Sequence, residues 1–74
     1  MTRLPRLTAR QIVTVLEKIG FELRRQSGSH MIYKNQAGAR VTIPYHGSRT
    51  LHPKLLQTIL RDADLTVERL QDLL

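Results

Sequence analysis

The residues best suited to chemistry stand in the run Ser27-Gly28-Ser29-His30-Met31-Ile32-Tyr33. Gly28 can adopt the positive φ of a tight hairpin, and the serines beside it can bond nearby backbone groups. This pattern predicts a turn that brings His30 to the start of a strand, among cationic and hydroxyl side chains. An imidazole there can move protons and help to break a phosphodiester bond. A histidine after a turn is also commonly a solvated or structurally hydrogen-bonded residue, and both interpretations stand at this point.

The charge balance predicts an anionic partner. The chain has 12 Lys and Arg against 6 Asp and Glu, a net charge of +6, and nine of the cations are Arg. The acids before residue 62 are Glu17 and Glu22, so most of the chain is strongly basic. Because arginine grips phosphate oxygens in pairs, the excess favours nucleic acid or an acidic protein. A solvated basic surface is the plainer alternative.

Composition and spacing exclude several classes of site. Without Cys there is no disulfide, no thiolate metal site and no cysteine nucleophile. The three histidines match no common metal-ligand spacing, and the central chain lacks the clustered carboxylates of a two-magnesium nuclease. Ser27 and Ser29 sit on no nucleophile elbow. We therefore predict no metal and no cofactor, and we expect His46 and His52 to be loop residues, with a supporting role for His46 left open.

The length of 74 residues predicts one small domain over 1–74. No apolar run near the N-terminus resembles a signal peptide, and no stretch is long enough to span a bilayer. These features predict a cytoplasmic protein that does not associate with a membrane.

The elements that must position His30 begin with an amphipathic helix. Thr8 is a good N-cap with Gln11 three residues later, as in a capping box, and Gly20 suits the C′ position. Three short strands are then predicted, over residues 21–26, 30–34 and 40–44. Their short connections make an antiparallel meander. In the third strand, Val41 and Ile43 are expected to point inward.

Alternation along the first two strands decides what surrounds His30. The first strand is expected to be half-buried, with one face formed by Phe21, Leu23 and Arg25. In the second strand His30 shares a face with Ile32, and Met31 shares the other with Tyr33. If Met31 and Tyr33 pack on the helices, His30 lies on an open face. If Ile32 points inward, His30 escapes burial only by its place at the end of the strand.

A loop over residues 45–52 leads to a second amphipathic helix that begins at Pro53, and Thr66 caps a short last helix. The predicted class is α+β, in the order α-β-β-β-α, with a three-stranded antiparallel sheet and a short extra C-terminal helix. With so few elements, the two longer helices should cover one sheet face and leave the other partly open.

Several stretches of the chain resemble the HicA family of toxins from bacterial and archaeal toxin–antitoxin pairs. They are Leu4-Pro5, Leu16 to Glu22, Arg25 to His30 with Tyr33, Val41 to Pro44, His46-Gly47-Ser48 and Leu56 to Arg61. The most specific part is Gly28-Ser29-His30 with Tyr33. Lys54 after Pro53 departs from the glycine that members often have there.

The resemblance implies a fold similar to the double-stranded-RNA-binding domain. It also implies the activity of an mRNA interferase, an endoribonuclease that cleaves transcripts and so stops translation, and it maps the catalytic histidine onto His30. The implied partner is a HicB antitoxin, which masks the active site and often carries a DNA-binding segment.

RNA brings its own nucleophile, the 2′-hydroxyl beside each phosphodiester, so one histidine can support metal-independent cleavage. His30 is the candidate base or acid, and the other proton would pass through water or Tyr33. The candidates for phosphate binding are Arg25, Lys34 and Arg49. Ser29, which can position the turn, completes the substrate-binding set with Tyr33, which can stack on a base or occupy a core or edge position.

Two other functions remain compatible with these residues. One is a non-catalytic module that grips A-form RNA by shape. Such modules begin the last helix with several lysines, whereas this helix begins with Pro53-Lys54. The other is an adaptor whose open sheet face and edge bind only a protein.

Overall fold

The computed structural model describes residues 3–46 and 48–74, so Gly47 of the predicted loop lies outside the described residues. The elements are α1 (Ala9–Lys18), β1 (Glu22–Ser27), β2 (His30–Lys34), β3 (Arg40–Pro44), α2 (Pro53–Asp62) and α3 (Val67–Leu73). The strands form one antiparallel sheet in the order β1-β2-β3. The predicted α+β class, the element order and the short extra helix are confirmed.

Both ends of α1 are closed by the predicted local signals. The backbone N–H of Gln11 donates to the Thr8 hydroxyl at 3.2 Å, and the Thr8 N–H donates to the Gln11 side chain at 2.9 Å. At the other end Gly20 has φ +96°, and the Phe21 N–H donates to the Leu16 carbonyl at 2.9 Å. This is a Schellman ending, and it folds Phe21 back into the core.

The ends of α2 use less usual residues. The His52 Nδ1 atom accepts from the backbone N–H of Lys54 at 3.1 Å, so His52 is the N-cap. The helix closes with a second Schellman pair, in which the Leu65 N–H donates to the Leu60 carbonyl at 2.8 Å. Asp64 takes the left-handed position of this motif, with φ +55°, where glycine is the usual residue.

The core lies between the helices and one face of the sheet. The largest side chains with almost no exposure are, from the helices, Ile12, Val15, Leu16, Leu56, Ile59 and Leu70, and from the sheet, Tyr33, Val41 and Ile43. The two longer helices therefore cover the same sheet face, as predicted, and the expectation that Val41 and Ile43 point inward is confirmed. Among the described residues no polar or charged side chain is buried.

Strand β1 differs from its prediction. It begins at Glu22, because Phe21 belongs to the ending of α1, and all six of its residues are exposed. The expectation of a half-buried strand was wrong because α1 and α2 pack chiefly against β3, at the opposite edge of the sheet, and leave β1 exposed. Leu23 is the one apolar residue of β1, and it is 44% exposed.

No helix within the described ranges is long and apolar enough to cross a membrane.

Candidate functional site

The hairpin between β1 and β2 has the predicted tight turn. Ser27 and His30 lie directly opposite each other, so Gly28 and Ser29 form a two-residue loop. Gly28 has φ +58° whereas Ser29 does not have a positive φ, as in a type II′ turn. The Gln26 side-chain amide donates to the Gly28 carbonyl at 3.2 Å. These local contacts fix the position at which His30 enters the sheet.

The turn is also fastened to the rest of the fold. The backbone N–H of Tyr45, just after β3, donates to the Ser29 carbonyl at 2.6 Å. The Tyr45 hydroxyl in turn accepts from the Nε atom of Arg10 in α1 at 3.4 Å. Ser29 is half-buried and its backbone serves as an anchor, so it positions the turn beside His30.

The pairing of β2 with β3 settles which sheet face His30 occupies. Met31 lies opposite Ile43, and the buried Tyr33 lies opposite the buried Val41, so these residues face the helices. Because neighbours along a strand point to opposite faces, His30 lies on the other face. His30 is exposed there. Of the two arrangements that the sequence left open, the open-face arrangement is the one found.

The placement of Tyr33 corrects one sequence-based candidate. Tyr33 is 2% exposed and lies in the core, on the face opposite His30. It cannot stack on a base or relay a proton at the open face, and of the positions considered for it the core is the one found. Burial raises the pKa of the Tyr33 hydroxyl above its usual value, and the negative charge of Glu17 adds to this effect.

Arg25 reaches the open face through an irregularity in β1. Leu23 lies opposite Tyr33 and Arg25 lies opposite Ile32, so Arg24 is an extra residue that forms a β-bulge. The sequence analysis assumed simple alternation, which places Leu23 and Arg25 on the same face. The bulge instead keeps Leu23 on the helix side and turns Arg25 to the face of His30. Arg25 belongs to the row of side chains next to His30.

Lys34 lies on the same face but at the far end of β2. It is four residues from His30, which corresponds to about 13 Å along a strand. It is exposed, and it lies directly opposite Arg40 in β3 and opposite Glu22 in β1. Arg40 was not among the candidates from sequence. The sequence signal that could have identified Arg40 is the short turn over residues 35–38, because this turn sets residue 34 opposite residue 40.

Arg49 lies at the same end of the sheet as His30. A hollow of about 260 Å³ is lined by Arg49, His46, His52 and Pro44, and Pro44 is the residue directly opposite His30 in the ladder. The Arg49 N–H donates to the His46 carbonyl at 3.3 Å. His46 and His52 lie before α2 as predicted, and His52 also caps that helix.

The open face carries mostly unpaired positive charge. Its described side chains include Arg25, Lys34 and Arg40, with Glu22 as the acid. Within residues 3–46 and 48–74, Glu22 forms an ion pair with Arg24, in which its Oε2 atom lies 3.7 Å from Nη2 of Arg24. Both side chains are mostly exposed. Across these same residues no group of three or more His, Asp and Glu side chains comes together.

The fold and this face define a small basic α+β domain in which one sheet face is left open and cationic. A family model described as the HicA toxin of bacterial toxin–antitoxin matches residues 9–65 of the 74-residue chain. The chain belongs to this family, which confirms the resemblance seen in the sequence. Its role is that of a toxin in a toxin–antitoxin system, and this role implies an antitoxin partner. No curated protein matches the chain significantly.

Proposed function

We propose that this toxin is an mRNA interferase, an endoribonuclease that cleaves transcripts without a metal ion and so blocks translation. The observation that carries the proposal is the exposed imidazole of His30 beside Arg25 on the open sheet face. A nucleotide chain can reach this face because the described helices cover only the opposite one.

The chemistry needs two proton transfers and one displacement at phosphorus. A base removes the proton of the 2′-hydroxyl, and the 2′-oxygen then bonds to the adjacent phosphorus. The bond from phosphorus to the 5′-oxygen breaks, and an acid protonates that leaving oxygen. The products are a 2′,3′-cyclic phosphate and a free 5′-hydroxyl. His30 supplies one of the two transfers, and water supplies the other because Tyr33 is buried.

In this proposal Arg25 and Arg49 stabilise the charge that builds up on the phosphorane. Arg25 lies in the adjacent row of the same face, where its guanidinium can pair with two phosphate oxygens. Arg49 stands at the same end of the sheet in the neighbouring loop. Ser29 acts through the turn that it anchors. The proton transfer assigned to His30 is general acid–base catalysis, which contributes about 10²–10⁴-fold to a rate.

The partner in this proposal is a HicB-type antitoxin that covers the open face and excludes RNA. An acidic or shape-matched surface suits that role, since the face is rich in unpaired cations. The protein acts in the cytoplasm, where transcripts are translated.

A defined single-stranded RNA incubated with EDTA tests the catalytic role. Cleavage by the wild-type protein should fall about 10²–10⁴-fold in the His30→Ala variant. A matched control is His52→Asn, which removes another exposed imidazole while Asn keeps the N-cap of α2. This control should retain wild-type cleavage. A substrate with 2′-O-methyl groups throughout should resist cleavage, because its nucleophile is blocked.

Three results would contradict the proposal. Equal cleavage by wild type and His30→Ala would remove the histidine from the mechanism. Cleavage of the 2′-O-methyl substrate would remove the internal nucleophile. Binding of RNA with no cleavage would favour the non-catalytic module, whose shape-based grip needs no imidazole.

A further inference from the structure

The far end of the open face carries an unusual pair of like charges. Lys34 in β2 and Arg40 in β3 lie directly opposite each other, and both are exposed. Like charges in directly opposite positions of an antiparallel pair destabilise the sheet. In the described ranges neither of them forms an ion pair, and the neighbouring carboxylate of Glu22 pairs with Arg24. An anion bound between the two cations would relieve their repulsion.

The position of this pair relates it to the cleavage site. It shares its face with His30 and lies about 13 Å away along β2. That distance is too long for both ends to contact one phosphate. Between them lies the row formed by Arg25, Ile32 and Thr42. A chain of nucleotides that passes His30 and Arg25 can continue across Ile32 to the cation pair.

The middle of this path favours single-stranded RNA. Ile32 is half-buried on the open face and does not belong to the core between sheet and helices. Its apolar surface can accept the face of an unstacked base, which a paired base inside a duplex does not present. Thr42 beside it offers a hydroxyl, which can donate or accept a hydrogen bond.

We propose that Lys34 and Arg40 form a second phosphate subsite, which holds the backbone of single-stranded RNA at a phosphate other than the one that is cut. The inference rests on the proposed ribonuclease activity. It adds Arg40 to the substrate-binding residues, and it requires that good substrates extend beyond the scissile bond.

Cleavage as a function of substrate length tests the subsite. We would use single-stranded oligoribonucleotides from two to eight residues, each with one cleavable linkage and 2′-O-methyl groups elsewhere. For the wild type, kcat/KM should rise about tenfold or more once the chain is long enough to reach the pair. The Lys34→Gln/Arg40→Gln variant should lose this gain, so that its kcat/KM for the octanucleotide approaches its own value for the dinucleotide.

The matched control is Arg61→Gln/Arg69→Gln, which removes the same charge from two exposed positions on α2 and α3. It should keep the dependence on length. A thermal melt should give the Lys34→Gln/Arg40→Gln variant a Tm close to that of the wild type, since the substitutions remove the repulsive pair of Lys34 with Arg40 and the attractive pair of Lys34 with Glu22.

Binding separates failure of the subsite from failure of the proposed activity. Fluorescence anisotropy with the His30→Ala protein and the octanucleotide measures affinity without cleavage. The two Gln substitutions should weaken binding about tenfold or more, and should reduce the slope of log affinity against log salt by about 1.4. If the wild type cleaves nothing but this loss occurs, the subsite stands and the activity fails.

Other results would overturn the inference. If the variant keeps the gain with length, or loses dinucleotide cleavage equally, the pair is not a distant subsite. If binding of polyglutamate weakens while RNA binding is unchanged, the pair serves an acidic protein instead.

Discussion

His30 owes its exposure to the identity of its neighbours in β2. Tyr33 is buried in the core and Met31 packs against it, so both side chains lie on the helix side of the strand. Alternation then leaves His30 and Ile32 on the other side. Tyr33 thus contributes to the site indirectly, because its burial fixes the face on which the imidazole lies.

Replacement of Tyr33 by Phe should make the fold less sensitive to alkali. The pKa of Tyr33 is raised in the folded protein, so above about pH 10 the unfolded chain loses this proton first. The stabilising contribution is therefore complete below about pH 10 and disappears as the pH rises through the folded pKa. Urea midpoints measured from neutral to strongly alkaline pH should fall more steeply for the wild type than for Tyr33→Phe.

Comparison of the two proteins cancels the general effect of deprotonating lysines, because both carry the same ones. At neutral pH their midpoints should differ little, apart from any packing change at this buried position. Parallel curves across the alkaline range would show that the hydroxyl of Tyr33 ionises alike in the folded and unfolded chains.

At the scale of elements, the ending of α2 can be improved. Asp64 occupies a left-handed backbone conformation, φ +55°, that costs a residue with a Cβ atom more than it costs glycine. We expect Asp64→Gly to raise the free energy of unfolding by about 0.5–1 kcal/mol. Chemical denaturation measures the change. The matched control, Asp62→Gly, replaces the last residue of the helix, which needs no positive φ, and should not raise the free energy of unfolding in this way. Destabilisation by both substitutions would mean that the Asp64 side chain matters more than its backbone.

The elements that sequence predicted well are those whose causes are local. The capping box at Thr8, the glycine ending at Gly20 and the positive φ at Gly28 each depend on a few adjacent residues. The bulge at Arg24 could not be predicted from alternation, because it depends on how β1 pairs with β2. The N-cap role of His52 was missed because histidine is not among the preferred capping residues.

The same division applies to the candidate site. His30 was found from its turn, whereas its face required the pairing of β2 with β3. Arg25 was named for its charge, but its predicted face was wrong because of the bulge. Tyr33 was assigned a position in the core only when the sheet and the helices were seen together.

At the scale of the whole molecule, excess positive charge should make stability and RNA binding respond oppositely to salt. The chain carries a net charge of +6, so its cations repel one another in the compact state. Between about 0.01 M and about 0.1 M NaCl the screening length falls from about 30 Å to about 10 Å. The urea midpoint should rise over this range, while the affinity of His30→Ala for RNA should fall steeply.

A variant with less charge provides the control for this prediction. Lys54→Glu with Arg61→Glu lowers the net charge to +2, because each change replaces a positive charge with a negative one. Both positions are exposed and lie on α2, away from the open face. The rise in the urea midpoint should shrink in this variant. If it does not, specific ion effects and not self-repulsion govern the stability.

The bulge at Arg24 has a second consequence, which concerns neighbouring molecules. An edge strand with evenly spaced N–H and C=O groups invites another copy to extend the sheet. In β1 the extra residue disrupts that spacing, and adjacent Arg24 and Arg25 would meet like charges on an approaching copy. The opposite edge ends at Pro44, which has no N–H to offer. Copies released from their inhibitor should therefore resist edge-to-edge aggregation of their sheets and remain free to diffuse.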